Sequence, residues 1–257
     1  MKKFLICFFL IVFFTTNAQQ TIPVTLLEGN FLGDSYPRNI LKFKGDIYFT
    51  AEDGIHGKEL WRISDNVPNL VGDIIEGEDG AFDGNYQEKF LVTEDNLYFT
   101  THEGKELWST DGIDVSQKVS FSYDYPINNL CKFNSNIYFT YYDSVNGDEI
   151  WTYNELTGDY HLFLDINPGV SSSSAESLFV FNDKMYFVAK GPSGREIWMT
   201  DGTVEGTELL KDINPNGDSI LTFSHFIVLE NMFFFYAWSQ IMDMNFGKVM
   251  VLLKEQH

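Results

Sequence analysis

Apolar and polar residues alternate in short runs along most of this chain, and the runs recur. Asp46 to Ala51 reads Asp-Ile-Tyr-Phe-Thr-Ala, set between Gly45 and Asp53-Gly54, as expected of a strand bounded by turns. Downstream of residue 18 no 3.6-residue apolar period persists for twelve residues, so the pattern predicts strands and no long helix. The aromatic core of the run returns as Tyr48-Phe49-Thr50, Tyr98-Phe99-Thr100, Tyr138-Phe139-Thr140, Tyr186-Phe187-Val188 and Phe234-Phe235-Tyr236, with starts 50, 40, 48 and 48 residues apart. A second column follows each copy: Gly57-Lys58-Glu59-Leu60-Trp61, Gly104-Lys105-Glu106-Leu107-Trp108, Gly147-Asp148-Glu149-Ile150-Trp151 and Gly194-Arg195-Glu196-Ile197-Trp198, decaying to Gly247-Lys248-Val249-Met250-Val251. A third is Asp73-Ile74, Asp165-Ile166 and Asp212-Ile213.

Repeats of this length built from short aromatic runs point to propeller blades rather than helical solenoids. In the fourth copy the strands are expected at 178–181, 185–189, 195–200 and 207–213, with Asp-Gly at 201–202 as a two-residue hairpin turn. The fifth copy offers strands at 226–229, 233–237 and 248–253 and then ends, one strand short. The segment Ile22 to Leu27, ahead of the first copy, resembles the last strand of the fourth unit. The expectation is therefore an all-β fold: a β-propeller of five four-stranded blades closed by the N-terminal strand at 22–27. It forms a single domain over 19–257, with units at about 39–75, 87–122, 129–166, 177–213 and 225–253. The competing reading is a shortened piece of a longer array.

The N-terminus changes the picture of where this fold resides. Met1-Lys2-Lys3 is basic, Phe4 to Phe14 is unbroken apolar, and Thr16 and Ala18 supply the small residues of a cleavage site. Residues 1–18 are expected to be a signal peptide, giving a secreted, periplasmic or cell-surface protein with no transmembrane anchor after cleavage. Only Cys131 then remains, so no intrachain disulfide is available and the fold must stand on packing. Cys131 shares a column with Leu41, Leu91, Phe179 and Ile227, the setting of a small buried hydrophobe. The formal charge of −20 repels nucleic acid and anionic membranes, leaving protein or glycan as the expected partner.

The copy Glu196-Ile197-Trp198-Met199-Thr200-Asp201-Gly202-Thr203 resembles the ELWxxDGT repeat family, sometimes described as hyalin-like, of secreted bacterial proteins. The resemblance covers roughly 40–215. The second copy has Ile113 for the final Thr, while the first and third carry Asp65-Asn66 and Asn154-Glu155 in place of Asp-Gly. What the resemblance implies is a repeat architecture and export; it implies no reaction.

The candidate chemistry divides by recurrence. Glu59, Glu106, Glu149 and Glu196 recur once per unit, whereas one active site needs one or two carboxylates in different roles. Their expected role is structural, in capping backbone N–H groups or pairing with a base. The Trp column is expected to pack blade on blade, and Asp73, Asp165 and Asp212 to fix turns. A functional residue should instead break the repeat, on the loops joining the second strand to the third or one unit to the next. Asp53, His56, His102, Tyr142, Asp143 and Trp238 are the ligand-binding candidates on these grounds. The Glu76–Asn85 loop is rich enough in side-chain oxygen to take calcium, although its spacing is not that of an EF-hand. No nucleophile elbow, phosphate loop or zinc pattern is present. A non-catalytic binding module is the leading expectation. Its rivals are a polysaccharide hydrolase, in which Asp53, Asp143 and a third acid would converge, and a structural surface array.

Overall fold

The computed structural model describes residues 35–82, 88–122, 125–220, 226–229, 232–237 and 248–253. The expectations for the 1–18 leader, the 22–27 strand and Trp238 lie outside the described residues. Nineteen strands are described. The first sheet holds β1 (Arg38–Phe43), β2 (Asp46–Glu52), β3 (Lys58–Ser64) and β4 (Val67–Gly72). The second holds β5 (Phe90–Val92), β6 (Leu97–Thr101), β7 (Glu106–Thr110) and β8 (Val115–Ser120). The third holds β9 (Asn128–Phe133), β10 (Asn136–Asp143), β11 (Gly147–Asn154) and β12 (Tyr160–Leu164). The fourth holds β13 (Glu176–Phe181), β14 (Lys184–Gly191), β15 (Gly194–Thr200) and β16 (Glu208–Lys211). The fifth has three described strands, β17 (Ile227–Leu229), β18 (Met232–Ala237) and β19 (Lys248–Leu253). Every sheet is an antiparallel meander in chain order. Among the described residues the one helical element is a 3-10 turn at His102–Gly104, and no helix is long and apolar enough to cross a membrane.

Alternation along the second strand of each sheet decides the packing. Leu97 and Phe99 of β6 pack with Phe43, Tyr48 and Leu60 of the first sheet, with Trp108 against the same cluster. Ile137, Phe139 and Tyr141 of β10 pack on Tyr98 and Leu107, joined by Trp151. Met185, Phe187 and Ala189 of β14 pack on Tyr138, Ile150 and Cys131, joined by Trp198. Phe233, Phe235 and Ala237 of β18 pack on Tyr186, Val188 and Ile197. Each joint thus sets one sheet's forward face against the next sheet's rear face, and the Trp column is joint material. The corresponding rear face of the first sheet is Phe49, Ala51 and Trp61, with Ile63 and Leu70. It is buried too, although among the described residues its cluster draws on the first sheet alone.

The turn between the third and fourth strands is more than a hairpin. Ser64 pairs with Val67, so Asp65-Asn66 is a true two-residue turn. Thr110 pairs with Val115, and β16 begins only at Glu208, so the Asp-Gly turns are longer than the two residues expected. The reason is that they reach the neighbouring sheet. Tyr138 Oη donates to the Gly202 carbonyl at 3.4 Å. Gly112 lies against Tyr48, and its carbonyl accepts from Arg62. Gly202 sits at φ +97° with Phe133, Asn134 and Tyr138 around it, a place that a side chain would crowd. In the third unit, where Asn154-Glu155 replaces Asp-Gly, Tyr98 Oη donates instead to Glu155 Oε1, while Glu155 Oε2 pairs with Lys132.

Candidate functional site

The glutamate column is consumed by the fold. Glu59 Oε1 accepts the backbone N–H groups of Ile75 (3.2 Å) and Ala81 (3.0 Å). Glu149 accepts those of Ile166 (3.0 Å) and Ser173 (2.8 Å), and Glu196 accepts from Ile213 N–H and the Ser219 hydroxyl. In each case the donors flank the loop leading to the next sheet, so one carboxylate pins both ends of that loop. Taking the Ile213 N–H also ends the fourth strand at Lys211, short of the expected 213. All three side chains are fully buried, and burial pushes Glu59 and Glu149 up to about 7 and Glu196 upward. Glu106 differs. It is half-buried and accepts from Thr101 Oγ1 and Trp108 Nε1. The glycine ahead of each glutamate completes the clamp. Gly194, at φ +103°, touches the Gly217–Asp218 backbone so closely that a Cβ would approach it to 2.7 Å.

These clamps hold the two variable loop sets of each unit together on one end of the sheets. Gly57 meets Glu78 and Gly80, Gly104 meets Pro126, and Gly147 meets Ser171 and Ser172. On this face Asp53 Oδ1 accepts the N–H groups of Ile55 and His56, both at 2.9 Å, and its Oδ2 lies 2.7 Å from His56 Nδ1. Asp143 Oδ1 accepts those of Val145 (2.6 Å) and Asn146 (2.7 Å), and its Oδ2 accepts Asn146 Nδ2. The two loops share one device: an aspartate capping its own turn, closed by His56 in one and Asn146 in the other. Burial raises each aspartate, but the hydrogen bonds outweigh it and hold both below the usual carboxylate range. His56 is raised by the hydrogen bond it donates to the Asp53 carboxylate. His102 lies in the 3-10 turn. Of the candidate calcium loop, Glu76 to Asp79 are exposed, Ala81 and Phe82 anchor in the core, and residues 83–85 lie outside the described residues. Among the described residues no group of three or more His, Cys, Asp or Glu is placed to hold a metal ion.

Tyr142, at the end of β10, packs against Tyr125, which precedes β9; the ring centroids are 4.2 Å apart, the planes are tilted by 43°, and Tyr125 is 47% exposed. Directly across the ladder from Tyr142 stands Asp148. Cross-strand partners share a face of the sheet, and this face turns toward the fourth sheet. There Arg195, buried, places Nη2 2.7 Å from Glu176 Oε1 and donates Nη1 to the Ser174 carbonyl at 3.1 Å. Burial pushes Asp148 up to about 6, with the Arg195 charge opposing.

No family model matches the sequence, and no curated protein matches it. Among solved structures the chain is similar to one from "Structural and Mechanistic Analysis of Two Prolyl Endopeptidases", at 9% identity over 87% of this chain with a TM-score of 0.51. It spans 36% of that chain. It is also similar to a chain of the "Nidogen/Laminin Complex", at 12% identity over 81% of this chain and 75% of that one, with a TM-score of 0.45. At these identities the likeness speaks to fold alone. The architecture is propeller-like.

In a propeller-like frame the site residues sort by what they touch. Asp53 and Asp143 each serve their own loop, in different sheets. Tyr142 is brought together with Tyr125 and Asp148, and Asp148 lies within the field of Arg195, which pairs with Glu176; none of these four was a candidate from sequence. The signal for Asp148 was there: it interrupts a column otherwise basic at Lys58, Lys105, Arg195 and Lys248.

Proposed function

We propose that this is an exported, closed five-bladed propeller that binds a protein or glycan through its loop face. The observation that carries the reading is the occupation of the recurrent carboxylates. Glu59, Glu149 and Glu196 are spent on backbone donors, so what varies from unit to unit is the loop face they hold rigid. The test is an array of proteins and glycans probed with residues 19–257. Binding should be weakened by Tyr142→Ala on the loop face and unaffected by Lys184→Ala on the opposite end. Equal sensitivity to both, or turnover of a bound glycan, would contradict the reading.

Closure is the finer part of this proposal. The rear face of the first sheet is buried like its equivalents, which calls for a cover. Among the described residues the fifth sheet ends in β19, beside which the 22–27 segment would supply a fourth strand. Two departures from the repeat also fall on this one joint. The fifth copy has Phe234 where the others have a tyrosine hydroxyl, and the first has Asp65-Asn66 where the others extend a turn to receive one.

A further inference from the structure

We propose that the joint between the third and fourth sheets carries a subsite for a neutral sugar, with Tyr125 and Tyr142 as its apolar platform and Asp148 as its hydroxyl acceptor. This rests on the loop-face binding reading and names the ligand class for it. At the equivalent first joint, Lys58 Nζ lies 3.7 Å from Glu88 Oε1, a base of one sheet against an acid of the next. Register places Glu176 at the position of Glu88 and Asp148 at that of Lys58. The third-sheet base has thus become an acid, and two acids face one joint. Arg195 of the fourth sheet turns to Glu176 and satisfies it. Among the described residues the Asp148 carboxylate accepts no hydrogen bond, although its backbone N–H and C=O are taken by Ser172, Ser173 and Ser174. A half-buried acceptor left to water is open to a ligand donor that replaces that water.

The surroundings select the donor. A cationic ligand is opposed by the Arg195 charge beside Asp148. An anionic one is opposed by Asp143, Asp148, Glu176 and a chain of formal charge −20. A neutral polyol brings hydroxyl donors without charge, and its C–H face suits two tyrosine rings that present apolar bodies and polar tips. No other unit among the described residues combines a tyrosine pair, one ring exposed and one half-buried, with an acid in the basic column.

The experiment is calorimetric titration of residues 19–257 with neutral hexaoses of the gluco, manno, xylo and galacto series. Oligogalacturonate, oligolysine and a proline-rich peptide serve as the other arms. Binding by at least one neutral hexaose is expected, with affinity falling tenfold or more in Tyr125→Ala and in Asp148→Lys, which restores the repeat. Tyr125 is exposed, so the melting temperature of Tyr125→Ala should stay at wild type and separate lost binding from lost fold. Failure of every neutral hexaose to bind, or binding indifferent to both substitutions, overturns the subsite. If a peptide or an array protein still binds through the loop face, the broader reading stands while the sugar subsite falls. If nothing binds that face, both fall.

Discussion

At the residue scale, the glutamates show how a repeated acid can look catalytic and be structural. Glu149 takes two backbone donors from opposite ends of one buried loop. Glu149→Ala leaves both unmet at about 1–3 kcal/mol each, so a loss of about 2–6 kcal/mol is expected in urea unfolding. The pH dependence has a definite sign. Glu59 and Glu149 are raised to about 7 in the folded chain from an ordinary value near 4.5. The folded state therefore holds more protons than the unfolded one between those values. Their contribution is fully present below pH 4.5 and is lost as pH rises through about 7. The melting temperature should fall from pH 5 to pH 8, and less steeply in Glu149→Gln, which cannot ionise. A rise over that interval would contradict the assignment. Glu59 Oε2 and Glu196 Oε1, buried without donors, are natural seats for the proton.

At the element scale, the repeat is a set of joints as much as a set of sheets. On the second strands of the second and third sheets a tyrosine hydroxyl reaches the next unit's outer turn, by Tyr98 to Glu155 and Tyr138 to Gly202. Tyr98→Phe keeps the ring in the core and removes only the bond to a carboxylate. A loss of about 1–2 kcal/mol is expected, and none when Glu155 is already alanine, a comparison that a double-mutant cycle makes directly. Strand positions were legible in the sequence because period-two alternation and aromatic triplets are local signals. Strands expected at 185–189 and 195–200 appear within Lys184–Gly191 and Gly194–Thr200. Loop chemistry was less legible. Asp53 and Asp143 looked unique because their loops differ in sequence, yet both cap their own turn, through His56 and Asn146. The Tyr125–Tyr142 ring pair joins a connection to the end of a strand and has no local signature. The Asp148 column break was visible, but its meaning depended on Arg195 and Glu176, which only the folded joint brings near.

At the scale of the whole molecule, the account turns on whether five sheets in sequence make a ring. Four joints are built alike, each burying aromatic side chains between sheets. The rear face of the first sheet is buried, and among the described residues β19 is the last strand of the fifth sheet; a ring would join the two as a fifth joint. Adjacent strands lie about 4.8 Å apart, so closure makes residues 25 and 251 near neighbours although they are distant in the chain. The most direct measurement is the spin–spin distance between labels on Thr25→Cys and Val251→Cys. Cys131 does not compete for label, since it is buried and burial pushes its thiol up to about 11. A ring predicts a short, narrow distribution, about the strand spacing plus the label arms. A broad distribution centred beyond about 30 Å, more than six strand spacings, would contradict it.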